Sequence, residues 1–301
     1  MKKTLAMMTV AMMVAGALAG CGSSSSTPAA TTAAATEAAT TAAATEAATD
    51  AATTEAAGDT AAAAEGTVKT PSGKFTVGFD QEFPPMGFVG DDGQFTGFDL
   101  DLAKEVASRL GLEFVPQPIN WDAKDMELDS GNIDCIWNGF TMQGREDAYT
   151  WVGPYMANNQ VFVVNADSDI ASKADLAGKA VEVQKDSSGL AALQSETELS
   201  ASFGSMTEVA DYNTALMDLE SGACDAVCMD SIVAGYQIKS SGKDMKILDD
   251  TLSAEEYGIG FKKGEDELAK AVYDTLMEMK DDGTVAKISN DWFGSDVFTL
   301  K

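Results

Sequence analysis

The stretches "SGNIDCIWNG" at 130–139 and "SGACDAVCMD" at 221–230 constrain this chain more than any other feature. In each, a helical segment ends at Ser-Gly, an Asp follows three residues after the Gly, and an apolar strand then closes on a polar residue. The polar closures are Asn138 and Asp230. In open α/β sheets, ligands collect beyond the carboxyl ends of strands. Two such units facing each other would trap a ligand between them.

The surrounding pattern agrees. Apolar alternation predicts a strand over 74–79. "GFDLDLAKEVASRLG" then spaces Leu102, Val106 and Leu110 by four, with Ala103 and Ala107 beside them, and stops at Gly111. That is an amphipathic helix with a glycine terminator. "LEFVPQPI" reads as a strand, 123–128 as a helix and "DCIWNGF" as a strand. Strand–helix alternation at this pace implies a parallel sheet in an α/β fold. The pattern resumes with strands at "QVFVVN", "AVEVQ" and "DAVCMD", a short helix at 174–176, and helices at 189–199 and "YNTALMDLESG". The tail from "YGIGFKKG" onward reads as a strand and two helices. Leu268, Val272 and Leu276 share a face, with Ala269 and Met279 alongside, and this tail is expected to complete the first lobe.

The N-terminus is of another kind. Lys2 and Lys3 precede an apolar run from Leu5 to Leu18, and "LAGC" ends at Cys21. A basic start, a short apolar segment and small residues make an export signal over 1–20. The run is shorter than the roughly 20 residues a membrane span needs. "LAGC" resembles the lipobox of bacterial lipoproteins, which implies cleavage before Cys21 and lipidation of its sulfur. Residues 22–66 hold almost nothing but Ala, Thr, Ser, Gly and Glu, with "TAAATEAAT" twice in tandem. Without large apolar side chains such a segment has nothing to pack. A tether over 21–66 is expected, reaching roughly 35–40 Å as a flexible coil.

The remaining body, 67–301, is long enough for a large core in one domain or two lobes. Net charge is −28 for the chain, and −24 falls on the body. Such a surface repels phosphate backbones, which argues against nucleic acid. The chain has no histidine, so the usual imidazole metal ligand and the commonest general base are missing. We expect no metal, no cofactor and no catalytic residue. Cys135, Cys224 and Cys228 cannot all pair within one chain, and four strand residues would hold Cys224 and Cys228 about 13 Å apart. Buried free thiols are expected.

"FDQEFPPMGF" at 79–88 places Asp80 and Glu82 among Phe79, Phe83 and Phe88. A buried unpaired carboxylate is costly, so the run is either a surface turn or a pocket wall. With "GFDLDLAKEVASRLG", "SGNIDCIWNGFTMQGR", "VEVQKDSSG", "SGACDAVCMD", "YGIGFKKGEDEL" and "DDGTVAKISNDWFG", it resembles the extracellular solute-binding proteins of polar amino-acid ABC transporters, bacterial family 3. The resemblance covers 67–301. It implies a type II periplasmic-binding-protein-like fold, two α/β lobes joined by a two-strand hinge. Lobe 1 would comprise 67–155 plus 258–301 and lobe 2 159–254, with hinges near 155–159 and 255–257.

The resemblance also implies site roles. Asn138, Gly139 and Thr141 of the "NGFT" turn would offer backbone and hydroxyl groups to the ligand. Arg145 would pair with its α-carboxylate, although the motif is one residue shorter here than in many relatives. The alternative for Arg145 is a surface ion pair with Glu146 or Asp147. Ser187 and Ser188, opening a helix, would help bind the carboxylate or simply cap the helix. Asp230 would take the ammonium, or cap a strand end. Asp80 would face the ligand side chain while Phe83 and Trp121 sandwich it. That favours an amide or cationic side chain: glutamine, lysine, arginine or histidine, with cystine open. Glu82 is expected toward solvent and Trp137 in the core.

The function implied is that of a monomeric, lipid-anchored receptor on the outer face of the cytoplasmic membrane. It would close on a free amino acid and pass it to an ABC permease, without catalysis. An enzyme of the same fold, of the cyclohexadienyl dehydratase kind, or an amino-acid sensor without transport are the alternatives.

Overall fold

A computed structural model describes Thr70 and residues 72–301. The signal segment, Cys21 and the tether lie outside the described residues. The strands are β1 (Lys74–Phe79), β2 (Glu82–Phe83), β3 (Gly87–Val89), β4 (Phe95–Thr96), β5 (Glu113–Pro118), β6 (Cys135–Thr141), β7 (Tyr149–Asn165), β8 (Ala180–Gln184), β9 (Ser205–Val209), β10 (Ala226–Asp230) and β11 (Met245–Lys262). Eight form one sheet in the order β5-β1-β6-β11-β7-β10-β8-β9, and β2, β3 and β4 form a small second one.

Two α/β lobes share this sheet. In one, β1 runs parallel to β5 and β6; in the other, β8 runs parallel to β9 and β10. The connection is an antiparallel ribbon in which β7 and β11 pair from Tyr149–Lys262 to Asn165–Met245. One end of the ribbon joins β6 through Tyr257–Phe261, and the other joins β10 through Gln160–Val163. β6 and β10 are buried throughout, as strands covered on both faces must be.

Helices cover the faces: α1 (Phe98–Leu110), α2 (Lys124–Ser130), α3 (Ser188–Ser195), α4 (Thr197–Ser202), α5 (Tyr212–Ser221), α6 (Ser231–Ser241), α7 (Asp266–Asp281) and α8 (Thr284–Phe293). In α1 the Leu102, Ala103, Val106 and Ala107 stripe is buried, and Gly111 ends the helix at φ 67° with its N–H on Ala107 and Ser108 carbonyls. The tail packs back on α1. Phe98 and Phe293 meet edge to face at 5.1 Å, and Trp292 Nε1 donates to Asp101 at 2.8 Å.

Several elements differ from the sequence reading. β7 extends ten residues or more before "QVFVVN", because β11 supplies a partner along its whole length. The helix expected over 189–199 breaks at Glu196 into α3 and α4. β9 is almost wholly exposed, so it carries no apolar signature; it is an edge strand held by pairing with β8. In α6 the inward stripe includes Gln237, which hides the helical period. Cys135, Cys224 and Cys228 are buried and free.

Candidate functional site

The twin motifs repeat in atomic detail. Gly131 and Gly222 end α2 and α5 in left-handed backbone, at φ 76° and 78°. Asp134 Oδ2 then accepts the Thr76 N–H at 2.6 Å, and Asp225 Oδ2 accepts the Ala180 N–H at 2.8 Å. Each aspartate ties its own strand to the one beside it, so β6 and β10 end where the lobes face each other.

A cavity of about 10 Å³ lies there. Phe83, Trp121, Gly139, Thr141 and Arg145 line it from one lobe, and Gln184, Ser187, Ser188 and Asp230 from the other. Eight of the ten residues expected at the site therefore meet around one space. Asp80 and Asn138 do not line it. The Asn138 side chain turns back, its Oδ1 accepting the Asp80 N–H at 3.0 Å. Asp80 instead borders a second cavity of about 640 Å³, shared with Trp121 and ringed by Glu82, Asp122, Glu127, Asp211 and Lys185.

Gly139, inside β6, bends the strand at φ 57°, and a Cβ there would meet Phe83 at 3.0 Å and Tyr257 at 3.1 Å. Its N–H donates to Asp99 Oδ2 at 2.7 Å, which also accepts the Tyr155 hydroxyl at 2.8 Å. Burial pushes the Asp99 carboxyl up to about 7. Arg145 lies over the Phe140 ring at 5.1 Å, and its guanidinium donates to the Thr141 and Asp186 carbonyls at 3.2 and 3.3 Å. Among the described residues it forms no ion pair with Glu146 or Asp147.

Ser187 caps α3, accepting the Leu190 N–H at 3.0 Å. Ser188 Oγ lies 3.2 Å from Thr141 Oγ1 across the interface. Asp230 occupies the N-cap position of α6, yet its side chain caps nothing there. It accepts instead from Asn158 Nδ2 at 2.6 Å, the Tyr257 hydroxyl at 2.7 Å and the Tyr212 hydroxyl at 3.3 Å. Burial, and then the nearby Glu255, push the Asp230 carboxyl up to about 7. Asp80 is pushed up to about 6, chiefly by burial, while the Gln184 amide donates to it at 2.7 Å.

Sequence reasoning missed four residues. Gln184 closes β8 and spans the interface to Asp80; the rule of polar strand ends that singled out Asn138 and Asp230 would have found it. Glu255 lies in the ribbon and accepts the Thr141 hydroxyl at 2.8 Å. Lys124, fully buried, pairs across the interface with Asp186 and hydrogen-bonds its carbonyl at 3.3 Å. No local signal marks the last three. Glu82 does not face open solvent; it is half-buried and accepts from Asn213 of the opposite lobe.

The family described as bacterial extracellular solute-binding proteins, family 3, matches residues 75–295. This chain belongs to that family. Its relatives include the L-cystine-binding protein TcyJ of Escherichia coli K12, 33% identical over 231 residues, covering 75% of this chain and 84% of TcyJ. Two solved structures share the fold of this solute-binding protein. One, an ABC uptake transporter substrate-binding protein from Streptococcus pneumoniae with bound histidine, is 34% identical at a TM-score of 0.73. It covers 76% of this chain and 95% of that one. The other, an ancestral arginine-binding protein bound to arginine, is 36% identical at a TM-score of 0.69, covering 74% and 99%. Among the described residues of the solute-binding protein, no helix is long and apolar enough to cross a membrane.

Proposed function

We propose that this protein is the lipid-anchored receptor of an ABC importer, capturing a polar amino acid between its lobes and delivering it to a membrane permease. One observation carries the reading. The small interlobe cavity is lined on its walls by a guanidinium, a helix N-terminus and a buried carboxylate, the groups a zwitterion requires. Arg145 and Ser187 receive the α-carboxylate, Asp230 the ammonium, and Phe83 and Trp121 flank the ligand.

A cavity of about 10 Å³ is smaller than any amino acid. Entry therefore requires the lobes to part, breaking the Lys124–Asp186, Asp80–Gln184 and Glu82–Asn213 contacts. The ribbon changes partners between Met156 and Gln160 on β7 and between Ser253 and Tyr257 on β11, and the hinge belongs there, with lobe 1 at 67–155 plus 258–301 and lobe 2 at 159–254. Once the ligand parts Asp80 from Gln184, its side chain reaches toward the acidic second cavity. Amide and cationic side chains are favoured, as is the second amino group of cystine. Cys21 supplies the anchor. The protein binds without turnover and acts as a monomer.

The test is the unfolding temperature of the purified protein against each common amino acid. A ligand at 1,000 times its dissociation constant adds about 4 kcal/mol of stability. If none of them raises the midpoint, the reading fails; turnover of prephenate or arogenate would replace it with an enzyme.

A further inference from the structure

Two carboxylates meet at one end of the cleft without a cation beside them. Asp230 closes β10, and Glu255 lies on β11 in the ribbon; they are 4% and 5% exposed. A single nitrogen, Asn158 Nδ2, donates to both, at 2.6 Å to Asp230 and 3.2 Å to Glu255. Their accepting oxygens are thus only a few ångströms apart. Among the described residues neither acid takes part in an ion pair.

The other groups facing them cannot supply the missing charge. Tyr257 of β11, Tyr212 of α5 and Cys228 of β10 are all held far above their usual range by burial, and stay neutral. From β7, Gln160 brings only a neutral amide, which donates to Glu255 at 3.1 Å. Arg145 directs its guanidinium at the Thr141 and Asp186 carbonyls instead. From α3 comes only the Ser188 hydroxyl, and from α6 only Ser231, which donates to Asn158 Oδ1 at 3.1 Å. Two buried like charges at this separation do not both ionise without a counterion.

We propose that Asp230 holds a proton in the free protein because the Glu255 carboxyl group lies beside it with no cation between them, and that the incoming ligand ammonium displaces this proton. The inference rests on the amino-acid-binding reading above. The exchange balances: one carboxylic acid, one carboxylate and one ammonium become two carboxylates around the ammonium, and the proton leaves for the buffer. Glu255 also sets the polarity of its neighbours. Its Oε2 accepts the Thr141 hydroxyl at 2.8 Å and the Ser188 hydroxyl at 3.2 Å. A hydroxyl has one proton, so both now present lone pairs to the ligand. They accept from the ammonium, and the carboxylate is left to Arg145, Ser187 and the amides of α3.

Calorimetry of the full protein at pH 6.5 with L-arginine, L-glutamine, L-histidine and L-cystine, in phosphate and in Tris, counts the protons released. With Asp230 raised to about 7, roughly 0.5–1 proton is expected per ligand bound. Arginine and glutamine affinities should fall roughly fivefold from pH 7 to pH 6. Glu255→Gln should still bind, with a smaller release and a shallower pH slope, because burial alone still raises Asp230. Asp99→Asn, at an acid sealed away from the cavity, should keep both in full. Binding by the wild type with equal enthalpies in the two buffers overturns the proton held on Asp230 while leaving the receptor reading intact. Loss of the release in Asp99→Asn, or an undiminished release in Glu255→Gln, overturns it equally. If the wild type binds neither these four nor any other common amino acid, the reading and the inference fall together. Should Glu255→Gln not fold, the wild-type buffer comparison and Asp99→Asn still decide.

Discussion

The carboxyl ends of β6 and β10 follow matching sequence motifs, share the same glycine stop and the same aspartate tie, and then diverge. In β6 the polar residue that the motif marks as a terminus, Asn138, lies three residues before the strand's end at Thr141 and turns behind the wall to hold the Asp80 backbone. At β10 the polar terminus, Asp230, opens on the cavity. The next residue decides the difference. Gly139 continues in left-handed backbone and brings a main-chain turn to the cavity, whereas Ser231 starts a helix and leaves the Asp230 side chain facing it. A repeated motif thus fixes where a strand starts, directly after its aspartate, but neither where it ends nor which of its atoms faces a ligand.

The sharpest test of this asymmetry is replacement of each terminus by alanine. Asp230→Ala removes the carboxylate assigned to the ammonium, and truncating one partner of a buried charged pair costs about 2–5 kcal/mol. Amino-acid affinity should fall by two orders of magnitude or more, read by calorimetry. Asn138→Ala should weaken binding far less and lower the unfolding midpoint instead. Equal losses of affinity would put both termini in contact with the ligand. Arg145→Ala comes next, at roughly ten- to a hundredfold in affinity, as expected for a charge-assisted bidentate bond. An unchanged affinity would move the carboxylate elsewhere.

The α/β alternation and the buried stripes of α1 and α7 were legible because each rests on a local period. The length of β7, the break at Glu196 and the exposed edge strand β9 were not, since each depends on a partner distant in the chain. The same division runs through the site. Asp230 and Gly139 belong to recognisable motifs. Glu255 and Lys124 gain their meaning only when the lobes come together, with Thr141 and Ser188 meeting Glu255, and Asp186 meeting Lys124. Asp186 itself is left-handed at φ 53°, a conformation that no residue type alone announces.

The paired aspartates Asp134 and Asp225 should behave as equals where the termini do not. Alanine at either leaves a strand N–H, of Thr76 or Ala180, without its acceptor. An unsatisfied buried donor costs about 1–3 kcal/mol. Urea unfolding of the two variants should give similar losses, with affinity per folded molecule unchanged. A loss confined to one of them would mean that the two motifs are alike in sequence but not in energetics.

The smallest effect separates the two buried acids that stand behind the termini. Asp99, sealed behind Gly139, and Asp230, facing the cavity, both have folded-state values raised from 3.8 to about 7. The folded state therefore holds more protons than the unfolded chain between about pH 4 and pH 7, and stability must fall as pH rises through that window. Asp99→Asn should make the decline shallower, by on the order of 1 kcal/mol between pH 5 and pH 7. A saturating amino acid should remove the Asp230 share, because the ammonium holds that carboxylate ionised, and leave the Asp99 share intact. Thermal unfolding across this range, with and without arginine, separates the two. If arginine leaves the slope of the Asp99→Asn variant unchanged, the ammonium does not reach Asp230, and the β10 terminus is as closed to the ligand as that of β6.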